Sequence, residues 1–256
     1  MEKEGKYIYC IIDTDQERNF GPVSINGRCD EVLILGYDGL SMAVSNHSLD
    51  KFIVNSENML AHEKVIEEVM KEFDSVLPVR FGTVASNAEA IRNLLDRRHI
   101  EFKNLLRDMD HKIELGVKGS WQDMDVIFKE VVEENKEINS QKEKIQNDAN
   151  KVNIQAKSRV GVLVKEALQK KKDIEAEKII DALKRTVIEH KINKNIGDEM
   201  FINAAFLVDK GREKEFDNIM DDLSEEHKDR IKFTYIGPFP VFNFVNIVIY
   251  PEDWEK

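Results

Sequence analysis

Apolar positions along the chain follow two different periods, and the change of period divides it into segments. Residues 7–12 are a run of β-branched, aromatic and apolar residues that ends at Asp13, and 32–35 and 40–45 repeat the pattern around Gly36-Tyr37-Asp38-Gly39. This predicts a strand followed by a hairpin. Between them, Asn19-Phe20-Gly21-Pro22 and Asn26-Gly27 are turn chemistry, which predicts an irregular connection. Ser56 is placed to cap a helix running to about Phe73, because Met59, Leu60, Val65, Ile66, Val69 and Phe73 recur at helical spacing. After a strand at 77–81, Ser86-Asn87-Ala88-Glu89 fits a capping box that opens a helix to about Met109. Residues 111–117 read as a closing strand with Ile113, Leu115 and Val117 on one face, and Gly119-Ser120 as a boundary.

From Trp121 to Ile192 the period turns helical: proline is absent, Gly161 is the one glycine, and Lys, Glu, Gln and Asn dominate. Val131, Ile138, Ile145 and Val152 recur every seven residues, a narrow coiled-coil-like seam interrupted by Asn135 and Lys142. A turn at Asn147, Asn150 and Asn153 would let a second stripe, from Val160 to Val187, fold back as an antiparallel hairpin. Residues 200–208, a helix over 210–223, and strands at 231–236 and 244–250 complete a smaller β-α-β-β unit. The expected class is α+β: two ferredoxin-like or α+β units joined by a long, coiled-coil-like helical hairpin, divided as 1–119, 120–197 and 198–256.

The 256 residues carry a formal net charge of -11. Such a surface disfavours binding to nucleic acid or to an anionic membrane, both of which need lysine and arginine to neutralise phosphates. The two cysteines, Cys10 and Cys29, are too few for a disulfide framework, and Cys10 sits in an apolar run suited to a small buried thiol. The first residues lack the basic and apolar regions of a signal peptide, and no apolar run approaches a membrane span. A cytoplasmic protein without a lipid-membrane partner is expected.

Catalytic chemistry would need acid, base or nucleophile groups that converge, and the six histidines show no such pattern. His62-Glu63 begins like a zinc-protease motif, but Ile66 stands where the second ligand would be. His47, His99, His111, His190 and His227 have no metal-ligand spacing and read as solvent-facing or capping residues. Neither a metal nor a cofactor is expected. The stretch 81–86 leads into a helix N-terminus that could hold an anion beside Arg80, although a structural turn explains one glycine better. Arg97-Arg98 and Lys170-Lys171-Lys172 are flanked by acids and read as solvated helix faces.

Two segments break every period. Gly237-Pro238-Phe239-Pro240-Val241-Phe242-Asn243-Phe244-Val245 places two prolines a residue apart among aromatics, which forces an extended, rigid path. Leu77-Pro78-Val79-Arg80-Phe81-Gly82-Thr83-Val84 has the same character. With Glu114-Leu115-Gly116-Val117-Lys118 and Asn203-Ala204-Ala205-Phe206-Leu207-Val208, these segments resemble the GvpL/GvpF family of gas vesicle proteins, in the family's order and nearly end to end. The resemblance implies a non-catalytic accessory or minor structural protein of gas vesicle assembly. It also implies that the partners are the hydrophobic major shell protein and other vesicle proteins. Arg80, Phe81, Ile138, Ile145, Phe239, Phe242 and Phe244 are the candidate interdomain or partner contacts, with the three phenylalanines expected to bury as core of the C-terminal unit or across its junction. A small-molecule-binding regulatory domain built on the ferredoxin-like end is the alternative.

Overall fold

The computed structural model describes residues 4–48, 53–147 and 154–250. It is α+β, with two antiparallel sheets and seven helices among those residues. The chain contacts gather into two compact units. One comprises Met1–Glu114, Asp209–Gly211 and Pro238–Lys256, the other Leu115–Val208 and Arg212–Gly237.

In the first unit, strands β1 (Glu4–Ile12), β2 (Asn19–Ile25), β3 (Arg28–Tyr37), β4 (Leu40–Ser48) and β5 (Val76–Pro78) lie in the order β2-β3-β4-β1-β5, and the short β6 (Val84–Ala85) also pairs with β1. Every residue of β1 from Tyr7 to Ile12 is fully buried, as a central strand covered on both faces requires. Tyr7, Tyr9 and Ile12 share one core with Val65, Ile66 and Val69 of α1 (Ser56–Glu72). That leaves Ile8 and Ile11 to the other face, where α2 (Ala88–Arg97) and α3 (His99–Asp108) pack against β3, β4 and β5.

Several local expectations are corrected here. The stretch expected to be irregular is strand β2: Asn26 and Gly27, at φ 52 and 76, make a two-residue hairpin turn, and a register shift between Asn19 and Pro22 absorbs the Gly-Pro step. Asn55 rather than Ser56 caps α1, and Asn87 rather than Ser86 caps α2, their side chains accepting from the amides of Asn58 and Ala90. The single helix expected to run to Met109 is interrupted at Arg98, which separates α2 from α3.

The second sheet, made mainly of residues of the second unit, has strands β7 (Lys112–Trp121), β8 (Val187–Ile192), β9 (Met200–Asp209) and β10 (Ile231–Phe239) in the order β10-β7-β9-β8. Helices α4 (Met124–Glu134), α5 (Lys136–Asn147) and α6 (Ile154–Leu183) lie between β7 and β8, and α7 (Glu213–Glu226) between β9 and β10. Gly119 lies inside β7, toward its C-terminal end, where a Cβ would meet the Ile202 and Phe201 side chains at 2.8 Å. Only glycine lets the strands approach so closely. Residues 187–192, expected to end the helical stretch, form the edge strand β8, while 244–250, expected as a strand, have no regular structure. Exposure explains the first miss, because five of the six β8 positions face solvent and show no buried alternation. The rings of Phe206, Phe216 and Tyr235 meet in succession as tilted pairs at 5.6 Å and link β9, α7 and β10.

Candidate functional site

The segment 77–84 takes its shape from its partner strand. Val76, Leu77 and Pro78 pair with Ile12, Ile11 and Cys10, and the Val79 amide donates to the Tyr9 carbonyl at 2.9 Å. The chain then leaves the ladder for one tight turn, closed by the Thr83 hydroxyl on the Arg80 carbonyl at 2.7 Å, and rejoins it as Val84 pairs with Tyr7. Gly82 sits at φ +85 within this turn, the left-handed conformation that glycine adopts without penalty. The excursion turns Arg80 outward and carries Phe81 over the core.

Beneath the turn lies a closed polar relay. His62 of α1 is 3 % exposed, its Nδ1 is 2.8 Å from the Tyr7 hydroxyl and its Nε2 is 3.1 Å from the Val79 carbonyl. A carbonyl can only accept, so Nε2 carries the proton and Nδ1 accepts from Tyr7, whose oxygen in turn accepts from the Gly82 amide at 3.2 Å. Burial lowers the His62 pKa to about 4, which keeps the ring neutral, and burial likewise raises the Tyr7 hydroxyl above its ordinary value. Aromatic rings surround this node: Tyr9 stacks on His62 at 5.5 Å, Phe81 meets it edge-on at 5.7 Å, and Phe242 lies 6.4 Å away. His62 is thus a satisfied core histidine; His47 is buried as well, 2 % exposed rather than solvent-facing, with its Nδ1 2.7 Å from the Ser48 carbonyl.

The other proline segment is anchored by an acid. Glu114 is 5 % exposed and accepts from the Asn243 amide at 2.8 Å and from Asn243 Nδ2 at 2.5 Å. One turn follows, closed by the Val245 amide on the Val241 carbonyl. The burial expected for three phenylalanines falls instead to Val241, Val245 and Ile247, at 2 %, 6 % and 4 % exposure. Phe239 and Phe244 are half-buried, and Phe242 is 38 % exposed even though its ring approaches His62. Arg98 Nη1 donates to the Val248 carbonyl at 2.7 Å. The motif around Glu114 and the motif around Asn243 are therefore two halves of one contact. No spacing rule joins residues 129 positions apart, and Glu114 had no signal of its own beyond its place in a strand and in one of the four motifs.

Of the remaining candidates, Ile138 is completely buried in the second unit and Val131 nearly so, whereas the Ile145 side chain and the whole of Val152 lie outside the described residues. Nearby, Arg230 forks onto Glu130 at 2.6 and 2.8 Å and reaches Glu175 at 2.7 Å, while Lys171 adds a 3.0 Å bond to Glu130. Hydrogen bonding from Arg230 holds the Glu130 carboxyl down at about 2. Lys171 and Lys172 are not a solvated face, for Lys172 is 6 % exposed and donates to the Gly197 carbonyl. Burial lowers the Lys172 pKa. Among the described residues no group of three or more His, Cys, Asp or Glu could hold a metal ion, and no helix is long and apolar enough to cross a membrane.

A family model described as gas vesicle synthesis protein GvpL/GvpF matches residues 5–246. Gas vesicle protein F1 of Halobacterium salinarum is 25 % identical over 96 % of this chain and 95 % of its own length. Gas vesicle protein F of Dolichospermum flosaquae is 27 % identical over 73 % and 76 %. The crystal structure of the gas vesicle protein GvpF from Anabaena sp. PCC7120 superposes with a TM-score of 0.82 at 22 % identity, covering 96 % of this chain and all of that one. GvpF from Microcystis aeruginosa gives 0.78 at 22 % identity, over 95 % and 99 %. The α+β fold described above is the fold of those structures.

Proposed function

Because the chain belongs to the GvpL/GvpF family of gas vesicle synthesis proteins, with a gas-vesicle-related role, we propose that it acts in vesicle assembly as a non-catalytic accessory or minor structural component that binds the apolar major shell protein. The observation that carries this reading is the match over residues 5–246, which spans all four motifs and both units. The chemistry of the site is consistent with it. His62 and Tyr7 spend their polar groups on each other and on the backbone, and Glu114 spends its carboxylate on Asn243, which fixes the two proline segments in place. Those segments leave Arg80 and Phe242 among their exposed residues, and these two are the contacts we assign to a partner. A net charge of -11 suits a chain that keeps an apolar client dispersed.

For the second unit, the strand order β10-β7-β9-β8 with helices after its first and third strands supports a ferredoxin-like reading. Helices α4 and α5 against α6 make the helical hairpin, and burial of Val131 and Ile138 favours a seam that closes those helices on one another. Co-expression with the major shell protein is the test. The shell protein is expected to stay in the soluble fraction and to be captured with this chain, and Phe242→Ala with Arg80→Ala is expected to weaken capture. No capture, together with vesicles that form normally in a deletion strain, would end the proposal.

A further inference from the structure

The sheet of the first unit ends at β2, whose far edge has no neighbouring strand among the described residues, and α1 runs beside it. Between strand and helix lies a groove of about 610 Å³ lined by Phe20, Val23, Val32, Leu60, Ala61 and Val65. Val32 and Val65 are buried at its base, but Leu60 is 54 % exposed and the adjacent Met59 50 %, so apolar surface stays open to solvent along it. Glu57, Glu67 and Glu68 line it as well, against the single cation Lys64.

The register of β2 says what the edge offers. Asn26-Gly27 is a two-residue turn, so Ile25 and Arg28 form the hydrogen-bonded closing pair, and Ser24–Cys29 and Pro22–Glu31 are non-bonded pairs. In an antiparallel ladder the main-chain groups of non-bonded pairs point away from the partner strand. The Ser24 N–H and C=O and the Pro22 C=O therefore point to the open edge, and Pro22 has no N–H to leave unsatisfied there.

We propose that this groove binds an extended, apolar polypeptide segment flanked by lysine or arginine, added as a further strand on β2 with alternate side chains laid between β2 and α1. Three features select that occupant. The outward groups at Ser24 and Pro22 need a partner with its own free main chain, which a helix does not have. The lining residues accept apolar side chains from one face of a strand. The excess of carboxylates over ammonium in the groove favours basic flanks and disfavours acidic ones. The inference goes beyond a role in vesicle assembly, since it specifies the conformation and charge of a ligand whatever protein supplies it.

Fluorescence anisotropy with the full chain and a labelled peptide Lys-Val-Thr-Phe-Thr-Val-Lys tests it, with Glu-Val-Thr-Phe-Thr-Val-Glu as comparison. Saturable binding is expected for the first peptide, weaker by about tenfold or more for the second. Leu60→Gln, at an exposed position, and Ser24→Pro, which removes only an outward N–H, should each weaken the first peptide about tenfold, while Ser24→Ala should bind like the unaltered chain. Circular dichroism melts of all three variants report whether the fold is kept. The inference is overturned by absence of saturable binding, by equal affinity for the two peptides, or by affinity unchanged in both Leu60→Gln and Ser24→Pro. A concentration-dependent dimer in sedimentation that Ser24→Pro abolishes would overturn it too, by assigning the groove to a second copy of this chain.

Discussion

His62 shows how a single buried side chain ties stability to pH. The unfolded chain protonates this imidazole below its ordinary pKa of 6.5, the folded chain only below about 4. Between those values the unfolded state holds more protons, so stability falls as pH falls. From pH 7 to pH 5 the loss attributable to His62 is about 2 kcal/mol, obtained from the two pKa values by linkage. Urea unfolding at both pH values should show this loss in the unaltered chain and a smaller one in His62→Gln, which cannot titrate. An equal loss in both would mean that other groups carry the acid sensitivity. Asn243 is the second residue to probe. Asn243→Ala removes a side-chain donor from the buried Glu114 carboxylate and should cost about 1 to 3 kcal/mol in the same experiment.

Among the elements, the helices of the second unit and the proline tail answer to different residues than their sequences advertise. The seven-residue spacing put Val131 and Ile138 on one seam, and both are buried, but α4 ends before Asn135 and α5 begins after it, so these two residues belong to two helices packed on α6. Ile138→Ala should cost about 2 to 5 kcal/mol, the usual range for a buried aliphatic truncated to alanine, read as a lower melting temperature. An unchanged melt would mean that the seam is free for a partner. In the tail, Ile247→Ala should cost a similar amount, about 2 to 5 kcal/mol, whereas Phe242→Ala at 38 % exposure should cost clearly less. The reverse order would return the anchoring role to the phenylalanine. The aromatic residues drew attention in the sequence because they are large. Which of them bury depended on the turn at 241–245, and that turn is set by Asn243 bonding to a residue on a distant strand.

For the whole molecule, the acidic composition gives the plainest expectation: with a pI near 5.2, self-repulsion vanishes close to that pH. Light scattering should therefore rise as the protein is brought from pH 8 to about pH 5. The His62 effect acts in the same interval, and His62→Gln separates the two, since it alters stability but barely alters net charge. Much of the architecture could be read from the chain alone. Period-two and helical runs placed β1, β3, β4, α1, β9 and the helical stretch, and four motifs pointed to the family, because both kinds of signal depend on residues close together in sequence. The sequence could not show that 19–25 and 187–192 are strands, since edge strands bury too little for their apolar positions to alternate. Nor could it show that His62 is a core residue, that Glu114 holds Asn243, or that the last described residues join the first unit. Those facts are contacts between segments tens to more than a hundred positions apart, and such contacts exist only once the chain has folded and burial has decided which polar groups must find each other.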